Sequence, residues 1–326
     1  VVRHPGWGPD DIGDLTGSTM VVTGANSGIG YEAAVELAAH GAHVVLACRN
    51  LQKGRQAADR IIGYTSWASV EVLELDLSSL ASVRRAAATF TREHDRLDVL
   101  VNNAGVMGTP YRLTEDGNEL QFASNHLGHF ALTGLVLDRL LTTTGSRVVT
   151  VSSHGHRHGH LDFSNLQLEH GGYTRSGAYG NSKLANLLFT FELDRRLRAA
   201  GAGTIAVAVH PGWSRSNLAV SGPAMDGSAA VARAGRIVGR LGGQSAASGA
   251  RPTLYAATEP GVLGGQYIGP GGLGQLFGPP RLVGANRRAR SERDASLLWE
   301  ASETLTGVHY DLAPAGEDLN PPARAG

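Results

Sequence analysis

The sequence predicts an α/β fold, a doubly wound parallel sheet in a single domain with a C-terminal lid and extension. Three observations predict it. Short apolar runs alternate with longer segments of helical periodicity over the first two thirds of the chain, the pattern of strands covered on both faces by helices. A glycine-rich stretch, TGANSGIG, lies directly between the first apolar run and the first helical segment. Residue types suited to chemistry follow the ends of several runs, where ligands bind on such sheets.

Taken in order, strands are expected at Met20–Thr23, Val44–Ala47, Val70–Leu75, Val99–Asn102, Val148–Val151 and Ile205–Val209, each a short β-branched or aliphatic run. Between them, apolar residues at three- and four-residue spacing predict helices over Ile29–His40, Leu51–Ile62, Ser78–Thr91, Leu120–Leu141 and Tyr179–Ala200. Right-handed crossovers between parallel strands turn this order into a doubly wound sheet. From Ser221 the composition shifts to Gly, Ala and Ser, with a modest helical stretch at Ala229–Leu241. A helix turn or two is expected at Pro252–Thr258, a last strand at Gly265–Ile268 and a closing helix at Ala295–Leu305. The expected division is an N-terminal arm (1–15), a dinucleotide-binding and catalytic core (16–220), a substrate lid (221–250), a completion of the sheet with its closing helix (251–312) and a tail (313–326).

The 326 residues carry 29 Lys+Arg and 29 Asp+Glu, so no long-range field points to nucleic acid or an anionic membrane. With Cys48 as the single cysteine, the chain has no internal disulfide and no multi-thiolate metal site; a reducing, cytoplasmic location is expected. No apolar run approaches the roughly 18–20 residues that cross a bilayer, and no signal peptide is read at the start. The expected partner is therefore a small molecule held by local groups.

Gly24, Asn26, Ser27, Gly28, Ile29 and Gly30 form a strand-to-helix turn whose backbone N–H groups, with the helix dipole behind them, suit a pyrophosphate. The spacing is TGxxxGxG rather than GxGxxG. At the end of the second strand, where an acidic residue would grip the ribose 2′-hydroxyl of NAD, stand Cys48, Arg49 and Asn50. An arginine there pairs with a 2′-phosphate, which favours NADP(H) over NAD(H). Asp76 and Leu77 follow the third strand, placed to touch adenine, and Asn103, Ala104 and Gly105 follow the fourth, beside the cofactor ribose.

Tyr179 and Lys183 stand at i and i+4, on one helix face. A free phenol, with pKa near 10, is a poor base at neutral pH, and a nearby ammonium together with an oxidised nicotinamide would lower it. Ser152 and Ser153 follow the fifth strand, where a hydroxyl can donate to a substrate oxygen as it gains charge. An isolated YxxxK carries no such meaning, because Tyr and Lys commonly share a solvated face.

The motifs TGANSGIG, NNAG, VSS, YGNSK and HPG, in this order from about Leu15 to Leu218, resemble those of the short-chain dehydrogenase/reductase family and its Rossmann fold. NHLGHF at Asn125–Phe130, YGNSKLANLLF at Tyr179–Phe189 and the closing LLWEASETLTGV are similar to the retinol dehydrogenase and protochlorophyllide reductase branch of bacterial type. The resemblance implies Tyr179 as proton donor or acceptor, with Lys183 lowering its pKa while both hold the nicotinamide ribose. It implies Ser153, rather than Ser152, as the group polarising the carbonyl, and Asn125 as the anchor of a water linking Lys183 to solvent. Pro211, Gly212, Trp213, Ser214 and Ser216 would wrap the carboxamide; the family usually has Thr where Ser216 stands. It also implies a homodimer or homotetramer through the helices around Leu120–Leu141 and Tyr179–Ala200.

The expected activity is therefore NADP(H)-dependent hydride transfer to or from a carbonyl or secondary alcohol of a lipophilic or polycyclic molecule. Reduction of a C=C or C=N bond on the same scaffold, and a non-catalytic NADP-sensing protein, are the alternatives. Candidate substrate contacts are Met107, His154, His156, Trp213 and Met225. The alternating histidines of SHGHRHGH are read as an exposed His-rich loop, since no carboxylate or thiolate is spaced to complete a ligand set, and no metal is expected.

Overall fold

The computed structural model describes residues 6–214 and 243–312. Ser216, Met225 and the Ala229–Leu241 stretch lie outside the described residues. Strands β1 (Thr19–Thr23), β2 (His43–Cys48), β3 (Ser69–Glu74), β4 (Val99–Asn102), β5 (Arg147–Val151), β6 (Ile205–Val209), β7 (Tyr267–Pro270) and β8 (Pro280–Leu282) form one sheet in the order β3-β2-β1-β4-β5-β6-β7-β8. The first seven run parallel, with Val21 opposite Val45 on one side and Leu100 on the other. Only β8 is antiparallel. Chain order reverses between β1 and β4, so the crevice above their carboxyl ends is the switch point at which such sheets bind ligands.

Alternate strand residues serve opposite faces. Val22, Leu46, Val101, Val149 and Val207 point toward α1 (Gly28–Ala39), α2 (Leu51–Tyr64) and a helix over Ala246–Thr258, meeting Ala33, Leu37, Ile61 and Leu254. Val21, Val45, Leu100, Val148 and Ala206 point the other way. There they meet α3 (Leu80–Glu93), the helices spanning 120–141 and α7 (Arg175–Ala199) through Phe90, Phe130, Phe189 and Leu193. At roughly 1.5–3 kcal/mol for each large aliphatic side chain removed from water, this two-sided burial is the main force that fixes the sheet.

The single helix expected over Leu120–Leu141 is divided. It comprises α4 (Leu120–Phe122), one wide π turn at Ala123–Leu127, α5 (Gly128–Leu135) and α6 (Leu137–Leu141). The π turn contains Asn125, and such insertions recur at functional positions. The last expected strand is displaced to Tyr267–Pro270, and β8 escaped prediction altogether. The segment Ala246–Ala250, assigned to the lid from composition, instead opens the helix α8 (Ala246–Thr258), where Ala250 is fully buried. Ser245 caps that helix by accepting from Ser248 N. The closing helix α9 (Glu292–Thr306) packs on α7, placing Trp299 edge-on to Phe130 at 5.2 Å, so the C-terminal part covers part of the helix faces expected to dimerise. Among the described residues no helix is long and apolar enough to cross a membrane.

Candidate active site

The turn after β1 is built around Thr23. Its buried hydroxyl accepts from Asn103 N and Ala104 N, both at 2.9 Å, which uses both lone pairs. Its proton is left for His129 Nε2 at 2.9 Å, with Val101 O more distant at 3.3 Å. His129 Nδ1 lies 3.0 Å from Asn125 O, a carbonyl that can only accept, so Nδ1 carries the ring proton and Nε2 is the acceptor. Burial holds this imidazole neutral, pulling its pKa down to about 4. One chain of hydrogen bonds thus ties the turn after β4 through Thr23 to the π turn.

The Asn103 amide donates to Thr23 O at 2.8 Å and sits against Gly30, where any Cβ would collide with it. Gly24 has φ +68°, and a Cβ there would come 2.9 Å from that of Ala104. Both glycines are therefore needed for these two turns to approach each other. At the start of α1, Ser27 makes no side-chain cap bond, whereas Asn50, Ser79, Thr174, Ser245 and Ser291 each cap the helix they precede. Gly28, Ile29 and Gly30 thus present a first turn whose N–H groups no side chain satisfies, as an anionic ligand requires.

Around this crevice, Arg49 is exposed just beyond β2. Its neighbour Asn50 is committed to the cap of α2, accepting from Lys53 N at 2.9 Å. Asp76 uses Oδ1 to hold Ser78, through N at 2.9 Å and Oγ at 2.6 Å, which leaves Oδ2 for another donor. Leu77 is buried and abuts Gly128, where no side chain fits. Gly212 takes φ +67° and donates its N–H to His210 Nδ1, while Gln244 holds Pro211 O at 2.6 Å. Trp213 is half-exposed, anchored by its N–H to Leu276 O at 2.9 Å, and Ser214 bridges to Gln244. Met107 lies half-buried in the loop after β4.

Beyond β5 the two serines diverge. Ser152 is buried and donates to Lys183 O at 2.8 Å, so it serves the backbone of α7. Ser153 caps a short 3-10 helix, His154–His158, accepting from Gly155 N at 3.1 Å, and its hydroxyl lies near enough to Tyr179 to draw the phenol's pKa down. Gly155 lies against that ring, since a Cβ there would be 3.0 Å from Tyr179 Cε1. The ammonium of Lys183 stands 5.8 Å from the Tyr179 ring centroid and donates to Val151 O at 3.0 Å. Burial pulls Lys183 down to about 8. Burial pushes Tyr179 above its usual value, with Ser153 partly opposing it. Among the chain's own groups desolvation therefore outweighs the lowering expected from Lys183, and the remaining cationic contribution in that expectation is a bound pyridinium.

Asn125 is held by its side chain within the protein: Oδ1 accepts from Val106 N at 2.7 Å, and Nδ2 donates to Val106 O and Ser182 Oγ, each at 2.9 Å. It works as a strut between the turn after β4 and α7. Gly105 fills the gap toward Lys183, a Cβ there lying 2.9 Å from Asn125 Oδ1 and 3.6 Å from Lys183 Nζ. The histidine loop departs from expectation. His156 is buried, donating Nδ1–H to Ser153 O at 2.6 Å, so it supports the serine turn from within; His158 and His160 are the exposed pair. His154 packs edge-on to buried His210 at 4.8 Å. Sequence reasoning missed His129 and the pivotal use of Thr23, although the i, i+4 spacing from Asn125 to His129 within NHLGHF was the available signal.

The family model described as short chain dehydrogenase matches residues 18–225. The chain is 41% identical over 296 residues to human (Homo sapiens) Retinol dehydrogenase 13, covering 90% of this chain and 86% of that protein. It is 41% identical to human Retinol dehydrogenase 12, covering 91% and 89%. A crystal structure of an uncharacterized protein from Mycobacterium Paratuberculosis aligns with a TM-score of 0.77 at 44% identity, over 94% of this chain and 99% of that one. A structure described as an NAD(P) dependent gluconate 5-dehydrogenase from Beutenbergia cavernae, with bound NADP, aligns at 0.60 with 26% identity, over 78% and 95%.

Proposed function

Because this chain belongs to the short chain dehydrogenase family, on its retinol dehydrogenase-like side, we propose that it is an NADP(H)-dependent oxidoreductase acting on the carbonyl or secondary alcohol of a lipophilic or polycyclic small molecule. Members of this family are oxidoreductases that bind a nicotinamide cofactor. The observation that carries the reading is the convergence of three groups: the Ser153 hydroxyl and the Tyr179 ring, both against Gly155, with the Lys183 ammonium 5.8 Å from the same ring.

When bound, the nicotinamide supplies the hydride in reduction and accepts it in oxidation. Gly24, Gly28 and Gly30, the uncapped start of α1 and the Asn103–Gly105 turn would hold the dinucleotide, and the uncapped N–H groups fit its pyrophosphate. Arg49, exposed beyond β2, supports a 2′-phosphate and hence NADP(H).

In the reductive direction Tyr179 donates its hydroxyl proton to the substrate oxygen while Ser153 hydrogen-bonds the same oxygen as negative charge builds. Lys183, held by Val151 O, keeps a positive charge beside the phenolate that results. In oxidation the same phenol takes the proton back, through the same transition state. Retinol dehydrogenase relatives support a long apolar aldehyde as the carbonyl, whose reduction gives a primary alcohol, and half-exposed Trp213 supports an apolar mouth.

The test follows nicotinamide absorbance with retinal, retinol and a panel of lipophilic ketones, enones and imines, using NADPH and NADH in parallel. Turnover of a carbonyl with NADPH is expected, falling about 10²–10⁴-fold in Tyr179→Phe with NADP affinity retained. Full activity in that variant, or turnover of enones or imines alone, would overturn the assignment.

A further inference from the structure

At the opposite end of the sheet from the crevice, the amino ends of β2 and β3 bring together three residues far apart in sequence. His43 opens β2, Glu71 lies on the edge strand β3, and His94 is the residue on which α3 ends. We propose that His43, Glu71 and His94 form a binding site for one divalent transition-metal ion of the Zn²⁺ class, with water completing the coordination.

One nitrogen from each imidazole and a carboxylate oxygen all lie within 4.8 Å of one another. His94 Nε2 is 2.7 Å from Glu71 Oε1, and His43 Nε2 is 3.7 Å from Glu71 Oε2. Ligands about 2.0–2.1 Å from a tetrahedral ion stand roughly 3.3 Å apart, so these separations bracket the required spacing and small side-chain rotations meet it. Two imidazoles and one carboxylate are a donor set that zinc accepts, and it is too rich in nitrogen for Mg²⁺ or Ca²⁺.

The protonation pattern also fits. His43 Nδ1 is 2.7 Å from Ser69 Oγ, its direct partner in the β2–β3 register. In the tautomer whose Nδ1–H donates to Ser69 Oγ, a lone pair stands on Nε2, a buried nitrogen with no hydrogen-bond partner. Ser69 and Glu71, two apart on β3, lie on one face of the strand. Ser69 thereby supplies the orienting contact that metal-bound histidines require.

His94 is held in place too, and the Nε2 proton that Glu71 Oε1 accepts at 2.7 Å is the one released when the ion binds. Its ring stacks on Phe90 at 4.7 Å, and its carbonyl accepts from Arg139 Nε at 2.8 Å. Glu71 keeps 37% of its side chain exposed, which leaves a path for the ion and room for water. Bound here, the ion would join β2, the edge strand β3 and the end of α3. Its effect is on stability, and the site is independent of the catalytic reading. No sequence motif announces it, because each ligand comes from a different element.

The test uses the full chain, freed of any affinity tag and dialysed against chelator, then titrated with ZnCl₂ by calorimetry and melted with ZnCl₂, MgCl₂ or neither. One Zn²⁺ per chain is expected, raising the thermal midpoint, with no response to Mg²⁺. Ser69→Ala is expected to weaken binding about 10–100-fold. His43→Gln/His94→Gln should abolish binding, whereas His158→Gln/His160→Gln in the exposed histidine loop should retain it. Glu71→Gln, a milder change, repeats the loss if the double variant fails to fold. Absence of stoichiometric Zn²⁺ uptake by the wild type, or binding that survives in Glu71→Gln and follows the loop histidines instead, would overturn the proposal.

Discussion

Thr23 and His129 share one proton across 2.9 Å, and through that bond the glycine-rich turn, the turn after β4 and the π turn become one unit. Thr23→Val keeps the shape and removes the hydroxyl. It strands the Ala104 N–H and a buried imidazole nitrogen, at about 1–3 kcal/mol for each unsatisfied group, while the Asn103 N–H keeps its bond to Val101 O at 3.0 Å. NADP affinity is expected to fall at least about tenfold and the thermal midpoint to drop, with Thr23→Ser restoring both. Equilibrium nucleotide titration alongside thermal melts checks this.

The two adjacent serines should separate cleanly in kinetics. Ser153→Ala removes the hydroxyl beside Tyr179 and is expected to lower kcat about 10²-fold with little change in nucleotide affinity. Ser152→Ala removes a bond to Lys183 O, so it should cost about 1 kcal/mol of stability and change kcat far less. Steady-state kinetics and denaturant midpoints on both variants decide it; equal kcat losses would reverse the assignment of the two hydroxyls.

Lys183 is 3% exposed and its ammonium is destabilised by burial, with a pKa of about 8 against an ordinary 10.5. Its folded state therefore binds the proton less tightly than the unfolded state does, so stability rises with pH between about 8 and 10.5. Lys183→Met is expected to abolish activity, to stabilise the fold by about 1–3 kcal/mol at pH 7 and to remove that pH slope. Val151 O would still accept from Asn186 Nδ2 at 3.1 Å. Urea unfolding at pH 7 and 9.5 measures both effects.

Acid should unfold the protein through three histidines. His126 and His210 are held down to about 3 and His129 to about 4, all by burial. Each is neutral when folded but binds a proton on unfolding below about 6.5, so stability is present above that pH and falls as pH drops toward 4. Near pH 5 the stability slope should correspond to about three protons from these groups. Urea midpoints between pH 4 and 7 test the slope, and a flat profile would contradict it.

The parts of this structure that were legible in the sequence are those where local pattern and burial agree. Strands such as Val99–Asn102 and Ile205–Val209 are buried almost throughout, so a bare apolar run sufficed. β8 was not legible because Pro280–Leu282 is three residues long, starts with proline and buries only that residue. The early start of α8 was hidden because AASGA reads as a flexible linker, yet its small side chains are what allow it to lie close to α1. In the site, TGxxxGxG stood out by its place between strand and helix, whereas Ser153, Tyr179 and Lys183 took their meaning from the family resemblance. The internal bonding of Asn125 and the burial of His156 did not, since spacing does not reveal which groups a folded chain leaves to solvent.

The wide turn at Ala123–Leu127 also sets angular phase. Each residue advances an ordinary helix by about 100°, so this turn decides how the face that carries Asn125 is offset from the face that carries Phe130. Asn125 must reach Val106 and Ser182, while Phe130 must meet Phe189, Trp299 and Tyr310. Excising one residue here would regularise the spiral and rotate one set of partners out of reach of the other, so an irregularity in the backbone is what lets a single rod answer to two separate addresses.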